Sequence, residues 1–384
     1  MYIKNAKVLN KDFRFQKADL MIGDRINYFI PLEDEDDVIS GGCVKNPVDS
    51  KGNPLPDDSE NLDLCGGMLI PGLVDIHTHG ALGMDSMSDD LDFPAWRKYM
   101  LANGITTFFP TTVTESENKI EESLERLKDA DGVYLEGPYI NSANRGAHDE
   151  KLIRIIDMEL MDKIADRLKI VTLAPEFEEN MAAISKLTAK GVKVSLGHSS
   201  ADYETAKKAF DNGATQLVHT FNAMAPLTHR EPNMIGAALD DEKVFCEVIS
   251  DGVHLHPAIV RILSKLLGPK RMLLISDSMS ATGLSDGEYI LGGLKVIVKD
   301  SVARTEYGAI AGSTKNIMQM MRSAVSFGVP LEEAVEMATL TPARAAGIDS
   351  DVGSIEKGKI ANMIWLGDDM EIKAVIYKGE VVRI

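Results

Sequence analysis

The feature that most constrains the fold of this chain is a repeated alternation of short apolar runs and helical stretches in its middle part. Nearly continuous apolar runs are typical of parallel strands that are buried on both faces. Eight such runs over about 275 residues predict an α/β fold, a (β/α)₈ barrel of the TIM type. The runs end at His77/His79, Thr112, Glu136, Glu176, His198, His219, Asp251 and Asp277. Helical periodicity fills most intervals, at 120–130, 178–190, 203–212 and 257–267.

Both ends of the chain have the pattern of β structure instead. Residues 1–30 alternate apolar and polar side chains, as a half-buried hairpin does, and residues 353–384 contain short strand-like runs with glycine turns. We therefore predict a small β-sandwich domain built from residues 1–68 and 346–384, with the barrel over residues 69–345. Residues 33–63 are acidic and rich in turn formers, and we expect a solvated excursion with no assigned function.

Composition excludes several classes of function. The formal net charge of -18 disfavours nonspecific binding to nucleic acid or anionic membranes, which need a cationic surface. The three cysteines are scattered and include no CxxC pair, so neither a disulfide framework nor a structural zinc site is indicated. No secretory signal and no apolar run of about 18 residues is found, so we expect a cytoplasmic protein.

A metal site is predicted by the charged residues at the strand ends. His77 and His79 are two residues apart, so on a strand both side chains point to one face and can reach one ion. Alone, this pair is better explained as an ordinary strand end. However, the carboxyl ends of all barrel strands meet on one side, and imidazole with carboxylate suits zinc, iron, cobalt or manganese. The further residues at these ends are Glu136, His198, His219, Asp251 and Asp277.

At this point the residues resemble a known family. Their order is similar to that of the amidohydrolase superfamily and, more narrowly, of the N-acetylglucosamine-6-phosphate deacetylases. The resemblance covers nearly the whole chain. The stretches that carry it are 71–80, 135–139, 146–148, 173–176, 197–199, 219–224, 230–232, 251–254, 277, 281–283 and 311–314.

The resemblance implies a metal-dependent deacetylation of N-acetyl-D-glucosamine 6-phosphate to D-glucosamine 6-phosphate and acetate, a step of amino-sugar breakdown. Glu136, His198 and His219 would hold the catalytic metal and leave room for a water molecule. Asp277 would be the general base, and His148 would polarise the carbonyl group. Some family members have Gln in place of one histidine of the first pair and hold one metal.

Because both histidines are present here, we hypothesise a second metal on His77 and His79, bridged by Glu136, so one or two divalent ions (Zn, Fe, Co or Mn) per chain. A serine follows Asp277 where a small apolar residue is expected, and we expect this departure, Ser278, to leave the chemistry unchanged.

The substrate contacts implied by the resemblance centre on the phosphate. Arg230 would bind it, with help from His254 and the backbone N–H groups of Asn222 and Ala223. In related enzymes this arginine can reach across a dimer interface, so a homodimer is implied; the alternative for Arg230 is a surface ion pair with Glu231. The remaining predicted substrate contacts are Ala147, His148, Asp251, Ile310, Ala311 and Gly312.

Two other functions stay open at this point. The first is another amidohydrolase, such as a dihydroorotase, a hydantoinase or an adenine deaminase. Many of those bridge two metals with a carboxylated lysine at the end of strand four, where this chain has Ala174-Pro-Glu176, and that disfavours them. The second is a catalytically silent sugar-phosphate binder on the same barrel. Asp277 argues against it, because binding alone needs no base.

Overall fold

The computed structural model describes residues 1–32 and 61–382, which form 21 strands and ten α-helices. The strands are β1 (Tyr2–Leu9), β2 (Phe15–Ile22), β3 (Ile26–Pro31), β4 (Asn61–Asp63), β5 (Met68–Pro71), β6 (Leu73–Thr78), β7 (Gly80–Ala81), β8 (Met84–Asp85), β9 (Ile105–Thr112), β10 (Tyr134–Leu135), β11 (Ile170–Leu173), β12 (Lys193–Leu196), β13 (Gln216–Leu217), β14 (Phe245–Val248), β15 (Met272–Leu274), β16 (Gly287–Leu291), β17 (Leu294–Lys299), β18 (Val302–Thr305), β19 (Met363–Leu366), β20 (Ile372–Tyr377) and β21 (Glu380–Val382). The helices are α1 (Phe93–Ala102), α2 (Glu117–Arg126), α3 (Met158–Ile164), α4 (Glu178–Ala189), α5 (Tyr203–Asp211), α6 (Asn233–Asp240), α7 (Pro257–Leu267), α8 (Ile317–Ser326), α9 (Leu331–Met337) and α10 (Leu340–Ala346).

Eight of these strands form the predicted barrel. Strands β6, β9, β10, β11, β12, β13, β14 and β15 pair side by side in chain order, and every pair is parallel. A parallel bridge between Thr78 and Ser278 joins the first strand to the segment that follows the last one. The backbone N–H of His79 also donates to the Ser278 carbonyl. This seam confirms the predicted barrel, and it gives Ser278 a structural position beside the catalytic candidate Asp277.

The five strands β11 to β15 stop two or three residues before the predicted ends, whereas β9 ends at Thr112 as predicted. Strand β12 ends at Leu196 and β13 at Leu217, whereas the sequence pattern extended them to His198 and His219. The reason is local: both histidines have positive φ, 48° and 25°, and therefore leave the extended conformation of the ladder. The four predicted helices are present as α2, α4, α5 and α7. His256 caps α7, because its side chain accepts a hydrogen bond from the N–H of Ala258.

The two chain ends form one β unit, as predicted. Its eight-stranded sheet has the order β21-β20-β19-β5-β1-β2-β3, with β4 also paired to β1. Side chains alternate between its faces: Met68 and Ile70 pack in the large barrel cluster, whereas Leu69 packs in a separate cluster with residues such as Ile3 and Met363. Strand β5 spans the predicted domain boundary between residues 68 and 69. It pairs with β1 and β19, so all of it belongs to this sheet.

A three-stranded antiparallel sheet after the eighth barrel strand was not predicted. Strands β16, β17 and β18 form this meander between residues 287 and 305. Its inward side chains, among them Leu291, Val296 and Val298, belong to the barrel cluster. The exposed side chains of β17 alternate with buried ones, which is the period-2 signal of a half-buried strand.

The predicted acidic excursion lies largely outside the described residues. Only its last three residues are described, and they form β4, which pairs in parallel with β1. Among the described residues, no helix is long and apolar enough to cross a membrane.

Candidate metal centre

Five of the predicted ligands converge on one point at the carboxyl end of the barrel. Glu136 follows β10, and its Oε1 lies 3.1 Å from His198 Nε2 and 3.0 Å from His219 Nε2. Its Oε2 lies 3.3 Å from His79 Nε2 and 3.5 Å from His77 Nε2. Each oxygen of one carboxyl group thus faces one pair of imidazoles. The geometry divides the centre into a first half with His77 and His79 and a second half with His198 and His219.

Asp277 follows the last barrel strand, β15, and faces the first half across the seam with β6. Its Oδ1 lies 3.1 Å from His79 Nε2 and 3.6 Å from His77 Nε2. Burial raises the pKa of this carboxyl group, but hydrogen bonding to His79 and the charges of both histidines outweigh it, so the pKa falls to about 2. A carboxylate at the edge of the centre is therefore available as a proton acceptor.

Hydrogen bonds behind the centre orient three of the imidazoles. His79 Nδ1 donates to the carbonyl oxygen of Thr111 at 3.0 Å, and His198 Nδ1 donates to that of Asn144 at 2.9 Å. His77 Nδ1 lies 3.0 Å from Glu247 Oε2. Because carbonyl and carboxylate oxygens accept, each ring has a proton on Nδ1 and directs Nε2 into the centre, where a metal ion can take the place of a second proton. This arrangement is characteristic of histidines that bind metal.

His148 is held in the opposite tautomer. The backbone N–H of Thr114 donates to His148 Nδ1 at 3.1 Å, so the neutral ring carries its proton on Nε2. Burial, and then the neighbouring His198, lower the pKa of His148 to about 3, which keeps it neutral. Although ligand atoms of His148, Glu136 and His198 lie within 4.8 Å of one another, the Nε2–H makes His148 a hydrogen-bond donor into the site. A donor, and not a ligand, is the role that fits this tautomer.

The donor set fits a divalent cation. The Nε2 atoms of His198 and His219 are only 3.0 Å apart, and the lone pair of His198 is directed into the centre, so a positive charge between these atoms is favourable. Burial would raise the pKa of Glu136, but the His77 charge and the hydrogen bonds to His198 and His219 lower it strongly. Burial lowers the pKa of His79, but Asp277 and Glu136 raise it to about 9. The carboxylates thus favour positive charge here, as protons or as a metal ion.

Backbone strain is found at the second half and at Asp277. His198, His219 and Asp277 have φ of 48°, 25° and 47°, in a region that residues with a Cβ rarely adopt. Such conformations persist only where surrounding contacts determine them, and they cluster at functional sites. For His198 those contacts include its Nδ1–H bond and, in the next residue, the Ser199 hydroxyl, which donates to Glu176 Oε2 at 2.6 Å.

A cavity of about 260 Å³ opens on the centre. The metal-ligand candidates that line it are His79, Glu136, His198 and His219. His77 does not line this cavity. The other predicted site residues that line it are Ala147, His148, Asn222, Ala223, His254, Asp277, Ile310 and Gly312.

Three predicted substrate contacts lie elsewhere. Arg230 is exposed, outside the cavity lining, and within the described chain it forms no ion pair, including the alternative pair with Glu231. Ala311 is fully buried between two lining residues. Asp251 contacts the cavity indirectly, since its Oδ2 accepts from His254 Nδ1 at 2.7 Å. The backbone N–H of Asn222 was predicted to help bind the phosphate. This role is limited, because the group already donates to the His219 carbonyl.

Sequence reasoning missed two groups of residues at the site. Leu291 and Ala309 line the cavity from the unpredicted meander and the loop after it. Glu247 and Tyr134 lie behind His77, and both are fully buried. A glutamate inside the apolar run of β14 was the available signal, since an acidic residue in a buried strand needs a partner.

The profile of the amidohydrolase family matches residues 68–382 of this chain. An N-acetylglucosamine-6-phosphate deacetylase from Vibrio furnissii is 40% identical over 332 residues, which is 82% of this chain and 82% of that protein. An N-acetylgalactosamine-6-phosphate deacetylase from Escherichia coli O157:H7 is 37% identical over 330 residues, which is 82% of this chain and 87% of that protein.

A solved structure gives the same result for the whole chain. The crystal structure of N-acetylglucosamine-6-phosphate deacetylase from Thermotoga maritima superposes with a TM-score of 0.87 at 32% identity, and it covers 100% of this chain and 99% of that one. The family match, these relatives and the arrangement of histidines around Glu136 agree with one another. The chain therefore belongs to the amidohydrolase family, and within it groups with the N-acetylated sugar-phosphate deacetylases.

Proposed function

We propose that this chain hydrolyses the acetamide group of N-acetyl-D-glucosamine 6-phosphate and releases D-glucosamine 6-phosphate and acetate. The observation that carries the proposal is the convergence of four imidazoles on Glu136 with Asp277 beside them, at the bottom of a cavity. The similarity to deacetylases over most of the chain supports the substrate class. We also propose that the enzyme works in the cytoplasm, in amino-sugar breakdown.

The metal site of the proposal has two parts. Glu136, His198 and His219 would hold the catalytic cation, and His77 and His79, together with Glu136, would hold a second one. Imidazole and carboxylate ligands suit Zn²⁺, Fe²⁺, Co²⁺ and Mn²⁺. A divalent cation bound there lowers the pKa of a water molecule and polarises a carbonyl group.

The residues around the cavity carry the proton transfers. Asp277 accepts a proton from the attacking water, whose oxygen forms a bond to the acetamide carbon. His148 Nε2–H donates to the carbonyl oxygen, as its tautomer allows. The C–N bond then breaks, and Asp277 returns the proton to the departing nitrogen. One carboxylate thus serves first as base and then as acid.

The sugar phosphate is proposed to extend along the cavity wall formed by His254, Asn222 and Ala223. Asp251 fixes the His254 ring and leaves its other nitrogen for the substrate. Arg230 is exposed and outside the lining of its own cavity, which supports a role in binding the phosphate of a second copy in a homodimer.

Acetate release from N-acetylglucosamine 6-phosphate by metal-loaded protein tests the proposed reaction. Asp277→Asn is the matched control, because it keeps the size of the side chain but cannot accept a proton. We expect turnover by the wild type and a large loss in the variant. No release by the metal-loaded wild type would contradict the deacetylase proposal, whereas unchanged release by the variant would contradict Asp277 as the base.

A mixing experiment tests the dimer. Arg230→Ala and Asp277→Asn proteins are assayed alone and after dissociation and reassociation in equal amounts. If Arg230 serves the partner's cavity, one site in each hybrid dimer is intact, and the mixture regains about a quarter of wild-type activity. A mixture no more active than the average of the two variants would contradict an arginine shared between copies.

A second substrate is favoured by one comparison. The 37% identical relative is named an N-acetylgalactosamine-6-phosphate deacetylase, so the epimer at C4 belongs in the assay. We expect the ratio of kcat/KM for the two sugar phosphates to decide which is the substrate. If kcat/KM is higher for the galactose epimer, that epimer becomes the proposed substrate, and the proposed reaction stays the same.

A further inference from the structure

Glu247 is a buried acidic residue that the proposed reaction does not use. It lies on β14, is fully buried, and does not line the cavity. Its Oε2 lies 3.0 Å from His77 Nδ1 and 3.4 Å from the backbone nitrogen of His219. One side chain therefore contacts a residue from each half of the metal centre.

The second oxygen of Glu247 is also engaged. The Tyr134 hydroxyl donates to Oε1 at 3.2 Å, and the Thr172 hydroxyl in turn donates to the Tyr134 oxygen at 2.9 Å. In this series of hydrogen bonds each hydrogen is donated in the direction of Glu247. Both carboxyl oxygens of Glu247 therefore act as acceptors. His77 must then supply an Nδ1–H, which leaves its Nε2 as the atom directed at Glu136.

Burying an acidic side chain inside a barrel is costly unless it is hydrogen-bonded and its charge is compensated. The hydrogen bonds are present, and a positive charge on the His77 ring, from a second proton or from a cation at its Nε2, compensates the carboxylate. We propose that Glu247 is a positioning residue that commits His77 to bind a cation through Nε2, and so determines the cation affinity of the His77/His79 half. This inference rests on the metal centre of the proposed function.

Mutation of the hydrogen-bonding partner behind a metal-binding histidine typically weakens metal affinity about 10- to 100-fold. Gln at position 247 keeps one acceptor oxygen but removes the negative charge. We expect this loss for Glu247→Gln, confined to one of two cations, with the other retained on Glu136, His198 and His219. Tyr134→Phe is the matched control: it removes one hydrogen bond from the network but leaves the carboxylate against His77. Its loss of affinity is expected to be clearly smaller.

The experiment titrates the metal-free full chain with Zn²⁺ against a chromophoric chelator and fits the two affinities per chain. Wild-type affinities for both cations in Glu247→Gln would overturn the inference, as would an equal loss in Tyr134→Phe. If Glu247→Gln does not fold, ¹⁵N-histidine NMR of the zinc-loaded wild type decides, with His77→Asn to assign the signal. A His77 proton on Nδ1 is expected, and a proton on Nε2 would overturn the inference.

Acetate release by the same wild-type preparation keeps the two proposals apart. If the wild type releases acetate while Glu247→Gln binds both zinc ions normally, only the role of Glu247 fails. If the wild type releases none while Glu247→Gln loses one zinc ion, only the proposed reaction fails.

Discussion

The two halves of the metal centre are held by the chain in different ways. His77 and His79 lie at the end of a single strand, and each Nδ1 has an acceptor behind it. His198 and His219 follow two different strands, and both histidines have positive φ. Within the described residues, His219 Nδ1 is buried without a hydrogen-bond partner. The first half is thus the more regular and the better supported of the two.

The better supported half is not the one most open to substrate. His198 and His219 both line the cavity, whereas of the first pair only His79 does. The strained half therefore faces the cavity with both imidazoles, and the regular half with one. From this contrast we propose that His198 and His219 carry the chemistry, while His77 and His79 support a second cation that the reaction can lose.

The largest effect is expected from removing a ligand of the second half. His198→Asn should lower acetate release about 10³- to 10⁴-fold, because the cation that activates water and polarises the carbonyl group is lost. Metal content measured on the same sample should fall by one cation per chain. Activity within tenfold of wild type would contradict the assignment of the catalytic cation to this half.

The second largest effect is expected for Asp277→Asn. It should lower kcat about 10³-fold, in the range that a general acid–base residue contributes. Asp277 lies 3.1 Å from His79 Nε2, so the variant also tests whether this residue belongs to the first half as a ligand. We expect the number of bound cations to stay the same, as measured by elemental analysis. Loss of a cation in parallel with activity would instead make Asp277 a ligand.

A smaller effect is expected for His148, the donor between the halves. His148→Phe should lower kcat about 10²-fold, the usual cost of removing one donor to a developing oxyanion, with metal content unchanged. Thr114→Val is its control, since it removes the hydroxyl 2.8 Å from Nδ1 but keeps the backbone N–H that fixes the tautomer. A loss of bound metal in His148→Phe would show that His148 is a ligand after all.

The sequence predicted the barrel and the convergence of its ligands for a simple reason. Parallel strands buried on both faces give uninterrupted apolar runs, and the polar residue that ends each run must lie on one side of the barrel. His77 and His79 were recognisable because they share one face of one strand. The small β unit was recognisable because β1 and β2 alternate between a buried and an open face.

What the sequence did not reveal depends on tertiary contacts. The positive φ at His198 and Asp277 is imposed by surrounding hydrogen bonds, and no glycine marks these positions. The tautomer of His148 depends on a backbone N–H 34 residues away. Glu247 is 170 residues from His77 in the chain, so no local pattern connects them.

The most direct test of these different roles of the two halves is acetate release by His77→Asn protein loaded with a single cation per chain. We predict that this cation is held by Glu136, His198 and His219, and that the rate stays within about tenfold of the fully loaded wild type. A single-cation protein that releases no acetate, while the two-cation wild type does, would contradict the claim and place the chemistry on both halves together.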